Sequence, residues 1–137
     1  MVLFAVSSVR AQNAPQSTLP TVTLSAGIHL IHAEVAATSS QRSVGLMMRQ
    51  TMSPNGGMLF LFDQPEKQCM WMRNTLLPLS VAFLDDDGTV VNIEDMQPRT
   101  EDIHCSTKPV RYALETHQGW FSRRGLKAGA KIGGLPK

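Results

Sequence analysis

The sequence has little of what marks membrane-spanning or nucleic-acid-binding proteins. No segment after its first residues approaches the roughly 20 consecutive apolar residues that a membrane-spanning helix needs. Its 13 lysines and arginines and 11 aspartates and glutamates are spread along 137 residues, and no basic block is interleaved with aromatic side chains. We therefore expect no transmembrane span and no nucleic-acid partner. What remains is an ordinary globular composition, 42% hydrophobic.

The motifs of common catalytic sites are also absent. There is no Gly-X-Ser-X-Gly nucleophile elbow and no glycine-rich phosphate loop. Cys105 follows His104 directly, and the side chains of sequence neighbours normally diverge, so these two do not form a nucleophile with its base. Eight methionines raise the question of copper, because thioethers bind Cu(I), but their positions in apolar patterns favour core packing. The sequence predicts no metal site and no cofactor, and it leans away from enzymatic activity without excluding it.

Only two cysteines are present, Cys69 and Cys105, which is too few for a disulfide scaffold. In an oxidising compartment a lone pair is expected to bridge where geometry allows. Closing a loop of several dozen residues would stabilise the fold by roughly 3 to 4 kcal/mol. A redox-catalytic role is the weaker alternative, because Cys-X-X-Cys spacing is missing. We predict a structural disulfide.

The chain begins with a pattern typical of the end of a secretory signal. A short apolar run is followed by two small residues, Val9 and Ala11, that match a cleavage site. We interpret residues 1–11 as a signal-peptide remnant, 12–21 as a flexible leader poor in apolar residues, and 22–137 as a single globular domain. The frayed terminus of a cytosolic protein stays open as an alternative, because no basic segment precedes the apolar run. The predicted location is periplasmic or secreted.

Short apolar and alternating segments separated by turn residues predict strands along most of the chain. Thr38 and Gln41 match a capping box and predict a helix from Ser39 to about Arg49, and Asp87-Gly88 predicts a hairpin turn. The predicted fold class is α+β and mostly β, a curled antiparallel sheet or small open β-barrel with one main helix packed against it. The predicted strands lie within 21–35, 58–62, 68–73, 80–84, 89–96 and 111–116, with a last one ending near 132.

A set of short motifs is spread along the chain in a fixed order. The motifs are Gly45-Leu46-Met47 with Arg49, Gly57-Met58-Leu59-Phe60 with Phe62, Trp71-Met72-Arg73-Asn74-Thr75, Pro78-Leu79, Asp87-Gly88, Met96 with Pro98, Tyr112-Ala113-Leu114-Glu115 and Gly119-Trp120-Phe121. Taken in order, they resemble a known family, the prokaryotic domain of unknown function 192, also called uncharacterised ACR. The resemblance implies a compact, mostly-β domain, frequently exported or lipid-anchored, with no established activity. The chain departs from the family pattern at Arg73, where lysine is usual, and at Ser80, where aspartate is usual. The loss of that carboxylate weakens any acid or base role at position 80.

The strongest candidate site is the run of polar groups that follows Trp71. Arg73, Asn74 and Thr75 place a guanidinium, an amide and a hydroxyl at adjacent positions, and the indole offers a stacking face two residues earlier. Such a clamp would hold a small polar or anionic ligand, with Arg49 as a second cation. The competing interpretation is structural, with Asn74 and Thr75 forming a bend and Trp71 lying in the core.

We therefore expect a monomeric, exported small-molecule-binding domain, with residues 97–110 as a lid over the site. The alternative is a cell-envelope accessory module whose protein partner docks on that loop and on an exposed sheet edge. An enzyme comes third, with Glu115 or Glu94 as a base. For Arg49 a structural role is favoured, either complementing the helix dipole or pairing with Glu115 or Asp63.

Overall fold

A computed structural model describes Leu3 and residues 14–137. The predicted signal cleavage after Ala11 lies outside the described residues. The elements, in chain order, are β1 (Thr21–Ala26), β2 (His29–Ala36), α1 (Ser39–Val44), β3 (Gly56–Glu66), β4 (Cys69–Met70), β5 (Leu79–Leu84), β6 (Val90–Met96), β7 (His104–Cys105), β8 (Val110–His117) and α2 (Trp120–Arg123).

Six of these strands form one sheet in the order β1-β2-β3-β8-β5-β6, while β4 and β7 form a separate two-stranded unit. Every neighbouring pair in the large sheet is antiparallel except β2 and β3, which run parallel. A parallel pair needs a crossover, and α1 lies in it. The sheet is mixed and not closed, so the predicted class of a curled, mostly-β sheet with a helix is confirmed.

The predicted capping box is present at the start of α1, where the Thr38 hydroxyl accepts from the Gln41 amide and the Gln41 side chain accepts from the Thr38 amide. The predicted end at Arg49 is wrong, because α1 stops at Val44. Gly45 ends it with a φ of 52°, a backbone conformation that side chains disfavour. A Cβ at this glycine would also lie 3.3 Å from the Phe60 ring, so the helix end packs tightly on β3.

Two of the predicted strands are wrong in extent. The strand expected over 68–73 is only the two-residue β4, because the chain turns directly after it. Asn74 has a left-handed φ of 54°, and the Thr75 amide donates to the Met72 carbonyl at 3.1 Å. The segment expected as a last strand pairs only through isolated bridges, to β1 and to the residue before β6. The predicted hairpin between β5 and β6 is confirmed, with Gly88 at a φ of 87°.

The sheet buries apolar side chains on both faces, in two clusters. Along β8 the faces alternate, so Leu114 belongs to one cluster and Ala113 to the other. The prediction that the methionines fill the core is confirmed for three of them, Met58, Met72 and Met96, which are fully buried. By the same alternation, Glu115 falls on the face of Ala113, among apolar side chains.

Cys69 and Cys105 are disulfide-bonded, as predicted, and the bond joins β4 to β7. The segment 97–110, expected to be without secondary structure, therefore contains a short strand. The predicted leader contacts the rest of the protein through Gln16, whose side-chain amide donates to the Gln41 and Gly45 carbonyls. Among the described residues, no helix is long and apolar enough to cross a membrane.

Candidate ligand pocket

A pocket of about 230 Å³ lies between α1, β3 and the chain that follows β4. Its wall combines polar side chains with apolar and aromatic ones, the latter being Phe60 and Phe62 from β3 and Met70 and Trp71 from the β4 segment. The two phenylalanine rings are nearly parallel, 15° apart in plane and 6.5 Å apart at their centroids. The remaining wall comes from α1 and the turn after it, and from two polar residues that are buried, Thr75 and Glu115.

Glu115 is the charged residue that the fold buries most completely in this wall, with 4% of its surface exposed. It lies on β8 between Met58 of β3 and Val81 of β5, its register partners on the two neighbouring strands. Burial raises the pKa of Glu115 to about 8, because the ionised form loses its hydration. No hydrogen bond to its carboxyl group is made by the described residues. At neutral pH it is therefore mostly a neutral acid that lines an open cavity.

The turn after β4 brings two of the predicted clamp residues to the same pocket. Trp71 is 44% exposed, so it is not a core residue. Thr75 is 5% exposed, and its hydroxyl donates to the Arg73 carbonyl at 3.2 Å. This is the side-chain-supported bend that the structural interpretation expected, and both lone pairs of the hydroxyl oxygen remain available as acceptors. Thr75 therefore both stabilises the bend and lines the pocket.

Arg73 and Asn74 do not line this pocket. They line a shallower neighbouring depression, together with Arg99 and Glu101. The Arg73 guanidinium lies 5.6 Å from the centroid of the Trp71 ring and its Nε lies 3.8 Å from Glu101. Arg73 is mostly exposed. The structure therefore divides the predicted clamp: Trp71 and Thr75 line the pocket, whereas Arg73 and Asn74 line the depression beside it.

Arg49 lies apart from both depressions and is bound to Glu34. Its two terminal nitrogens donate to the two carboxylate oxygens at 2.7 and 2.9 Å. The expected pairing with Glu115 or Asp63 is therefore wrong. Burial alone would raise the pKa of Glu34, but the hydrogen bonds from Arg49 and from the Leu19 amide, with the arginine charge, outweigh it and hold that pKa below its ordinary value.

The segment 97–110, predicted as a lid, holds the Trp71–Thr75 turn rather than covering the pocket. The Arg99 amide donates to the Thr75 carbonyl at 3.0 Å, and the Thr100 carbonyl accepts from the Met72 amide at 3.1 Å. None of its residues lines the 230 Å³ pocket. The disulfide between Cys69 and Cys105 adds a covalent link at the same side of the site.

The comparisons with known proteins agree with this fold. The model of the family described as uncharacterized ACR, or domain of unknown function 192, matches residues 21–134. The chain belongs to this family. A crystal structure of a putative transcription regulator from Sinorhizobium meliloti 1021 is 38% identical, has a TM-score of 0.81, and covers 87% of this chain and 97% of its own.

A second solved structure similar to this family member is a protein of unknown function from Novosphingobium aromaticivorans DSM 12444. It is 30% identical, has a TM-score of 0.77, and covers 93% of this chain and 99% of its own. No curated protein matches the sequence.

In this member of the domain of unknown function 192 family, the residue that sequence reasoning underrated is Glu115. The sequence suggests it only as a base or as a partner of Arg49, whereas the structure places it in the pocket wall with Trp71 and Thr75. The signal in the sequence was a carboxylate at a core-facing position of an alternating strand, two residues after Ala113. Glu94, the other carboxylate considered as a base, does not line the pocket and lies 3.5 Å from His104.

Proposed function

We propose that this protein binds a small polar organic molecule in the pocket beside α1. The observation that carries the proposal is the buried carboxyl group of Glu115, which borders a formed cavity and has no hydrogen-bond partner among the described residues. A carboxyl group that opens on a cavity and has no protein partner is free to form hydrogen bonds with a ligand there. Small-molecule sites usually combine apolar and aromatic surface with a few convergent polar groups, and this wall has both.

The wall supplies the rest of what such a ligand needs. Trp71, Phe60 and Phe62 offer aromatic surface to a planar or apolar body, and Thr75 offers a hydroxyl. Arg73 lies over the indole and would contact the part of the ligand that protrudes. The volume of about 230 Å³ is below the roughly 300 to 1,000 Å³ of pockets for drug-sized ligands, which favours an occupant about the size of a single ring.

The cellular compartment of the protein is part of the same proposal. The Cys69–Cys105 disulfide stabilises the β4 side of the pocket. Disulfides persist in oxidising compartments and are rare in the cytosol. We place the protein in the periplasm or outside the cell on this basis.

The test is an NMR screen of the ¹⁵N-labelled protein against a library of small organic molecules. Binders should shift the Trp71 indole signal and the amides around Thr75 and Glu115. Ser43 is exposed and borders the pocket, so Ser43→Trp should fill its mouth and abolish these shifts. Ser40, exposed on the same helix but outside the pocket wall, provides the matched control Ser40→Trp, which should leave binding intact. Binders that map elsewhere, or that bind Ser43→Trp equally well, would refute the proposed site.

A further inference from the structure

Two ionisable side chains, Arg42 and Glu115, line the pocket, and they differ in their hydrogen-bond partners within the protein. The Nη1 of Arg42 donates to two backbone carbonyl oxygens at 2.7 and 2.8 Å. Its Nη2 lies 3.6 Å from Asp63, and its guanidinium lies 5.7 Å from the centroid of the Phe62 ring. The other group is Glu115, which has no such partners among the described residues. The guanidinium of Arg42 thus has hydrogen-bond partners within the protein, whereas the carboxyl group of Glu115 has none among the described residues.

The strands on either side of Glu115 bring no charge to it, and the cation of the pocket wall, Arg42, is bound by other groups of the protein. The register partners on β3 and β5 are Met58 and Val81. On β8 itself, Arg111 and His117 lie on the same face by strand alternation. His117 donates from Nε2 to a backbone carbonyl at 2.8 Å and lines a different depression, and Arg111 does not line the pocket. A positive charge that compensates the carboxylate would have to come from the ligand.

The aromatic wall suits the same kind of ligand. The faces of Trp71, Phe60 and Phe62 carry the negative part of the ring quadrupole and attract cations. The ionised carboxylate of Glu115 would repel an anionic ligand, so the affinity of an anion should fall as the pH rises and Glu115 ionises. Aromatic surface next to one carboxyl group favours a planar cation with several hydrogen-bond donors.

We propose that Glu115 selects a ligand with a cationic, hydrogen-bond-donating head of the amidinium, guanidinium or primary ammonium class. The carboxylate pairs with the head while the body of the ligand lies against the aromatic wall. This inference rests on the proposed function of the pocket and adds the charge of its ligand. On binding, the carboxyl proton of Glu115 is released to solvent, and two donors of a planar head bind the two carboxylate oxygens.

A pH dependence with a definite sign follows. In the free protein the carboxyl is mostly protonated at pH 7, because burial raises the pKa of Glu115 to about 8. A cation binds the ionised form, so its apparent affinity is reduced by the small fraction that is ionised. Between pH 7 and pH 9 that fraction grows about tenfold, and the affinity for a permanently charged ligand should grow by the same factor.

Three probes of the same shape separate the possibilities: benzamidinium, benzamide and benzoate carry charges of +1, 0 and −1 on one ring. Calorimetric titration of each into the full chain, at pH 7 and pH 9, gives the affinity and the proton release. Benzamidinium should bind most tightly and about tenfold more tightly at pH 9. Glu115→Gln should abolish binding and its pH dependence, while Glu101→Gln, the same change on an exposed carboxylate of the neighbouring depression, should retain both.

The outcomes distinguish this inference from the function on which it rests. If benzamide or benzoate binds in the pocket at least as tightly as benzamidinium, or if the affinity for benzamidinium is the same at both pH values, the charge selection is wrong while the binding function stands. If none of the three binds and the NMR screen yields no pocket binder, the proposed function fails with it. The pH comparison uses the unmodified protein, so it holds even if Glu115→Gln were to misfold.

Discussion

Replacing Glu115 with glutamine should change how the stability of the free protein depends on pH. The folded protein holds the carboxyl proton up to a pKa of about 8, whereas the unfolded chain loses it near the ordinary value of 4.5. Between these values the folded state binds one proton more than the unfolded state, so wild-type stability falls as pH rises. The slope is about 1.4 kcal/mol per pH unit, and the total is about 5 kcal/mol, a large part of the roughly 5 to 15 kcal/mol of a typical domain.

Glutamine has nearly the same shape and does not titrate, so the variant lacks this contribution. Urea unfolding of both proteins at pH 5, 6, 7, 8 and 9 gives the free energy of unfolding at each pH. The variant should gain about 3.5 kcal/mol relative to wild type between pH 5 and pH 8, and the difference should level off above that. Taking the difference cancels every other titrating group. Parallel pH profiles for the two proteins would refute the burial of an unpartnered carboxyl.

Three further changes test the fold around the pocket. Replacing both Cys69 and Cys105 with serine should lower the free energy of unfolding by about 3 to 4 kcal/mol, since the bond closes a loop of 36 residues. Urea unfolding measures this loss, and a loss below about 1 kcal/mol would contradict the expectation. Arg49→Ala should lower the free energy of unfolding by about 3 to 5 kcal/mol, because it leaves the Glu34 carboxylate buried without its cation. The double variant with Glu34→Ala should lose less stability than the two single variants added together. A fully additive double variant would contradict the pairing. Gly57→Ala should lower the free energy of unfolding by about 1 to 3 kcal/mol, because the new Cβ would lie 2.5 Å from a backbone carbonyl oxygen of β8. An unchanged midpoint of thermal unfolding would contradict that close approach.

Local features of the fold could be predicted from the sequence because their causes are local. The capping box at Thr38 and Gln41 and the hairpin glycine at Gly88 each depend on residues within a few positions, and both are present. The early end of α1 was not predicted, because it depends on Gly45 packing against a ring of β3. The parallel pairing of β2 with β3 was missed for a similar reason, since no sequence signal nearby specifies the direction of a neighbour.

The candidate site shows the same division between local and distant causes. Trp71 and Thr75 were identified because their chemistry is visible within one short segment. The ion pair of Arg49 with Glu34 and the burial of Glu115 depend on strands brought together from distant parts of the chain. For Glu115 the deciding fact is its place on β8 between β3 and β5, two strands that both lie well before it in the sequence.

The burial of the Glu115 carboxyl group is tested most directly by titrating its carboxyl carbon by ¹³C NMR, with the signal assigned by its absence in Glu115→Gln. We expect a midpoint near pH 8 in the free protein, because burial raises the pKa of Glu115 to about 8. Saturating benzamidinium should then move the midpoint to lower pH, since a bound cation favours the ionised carboxyl. A midpoint near the ordinary 4.5 in the free protein would contradict the buried, unpartnered carboxyl on which the proposed site depends.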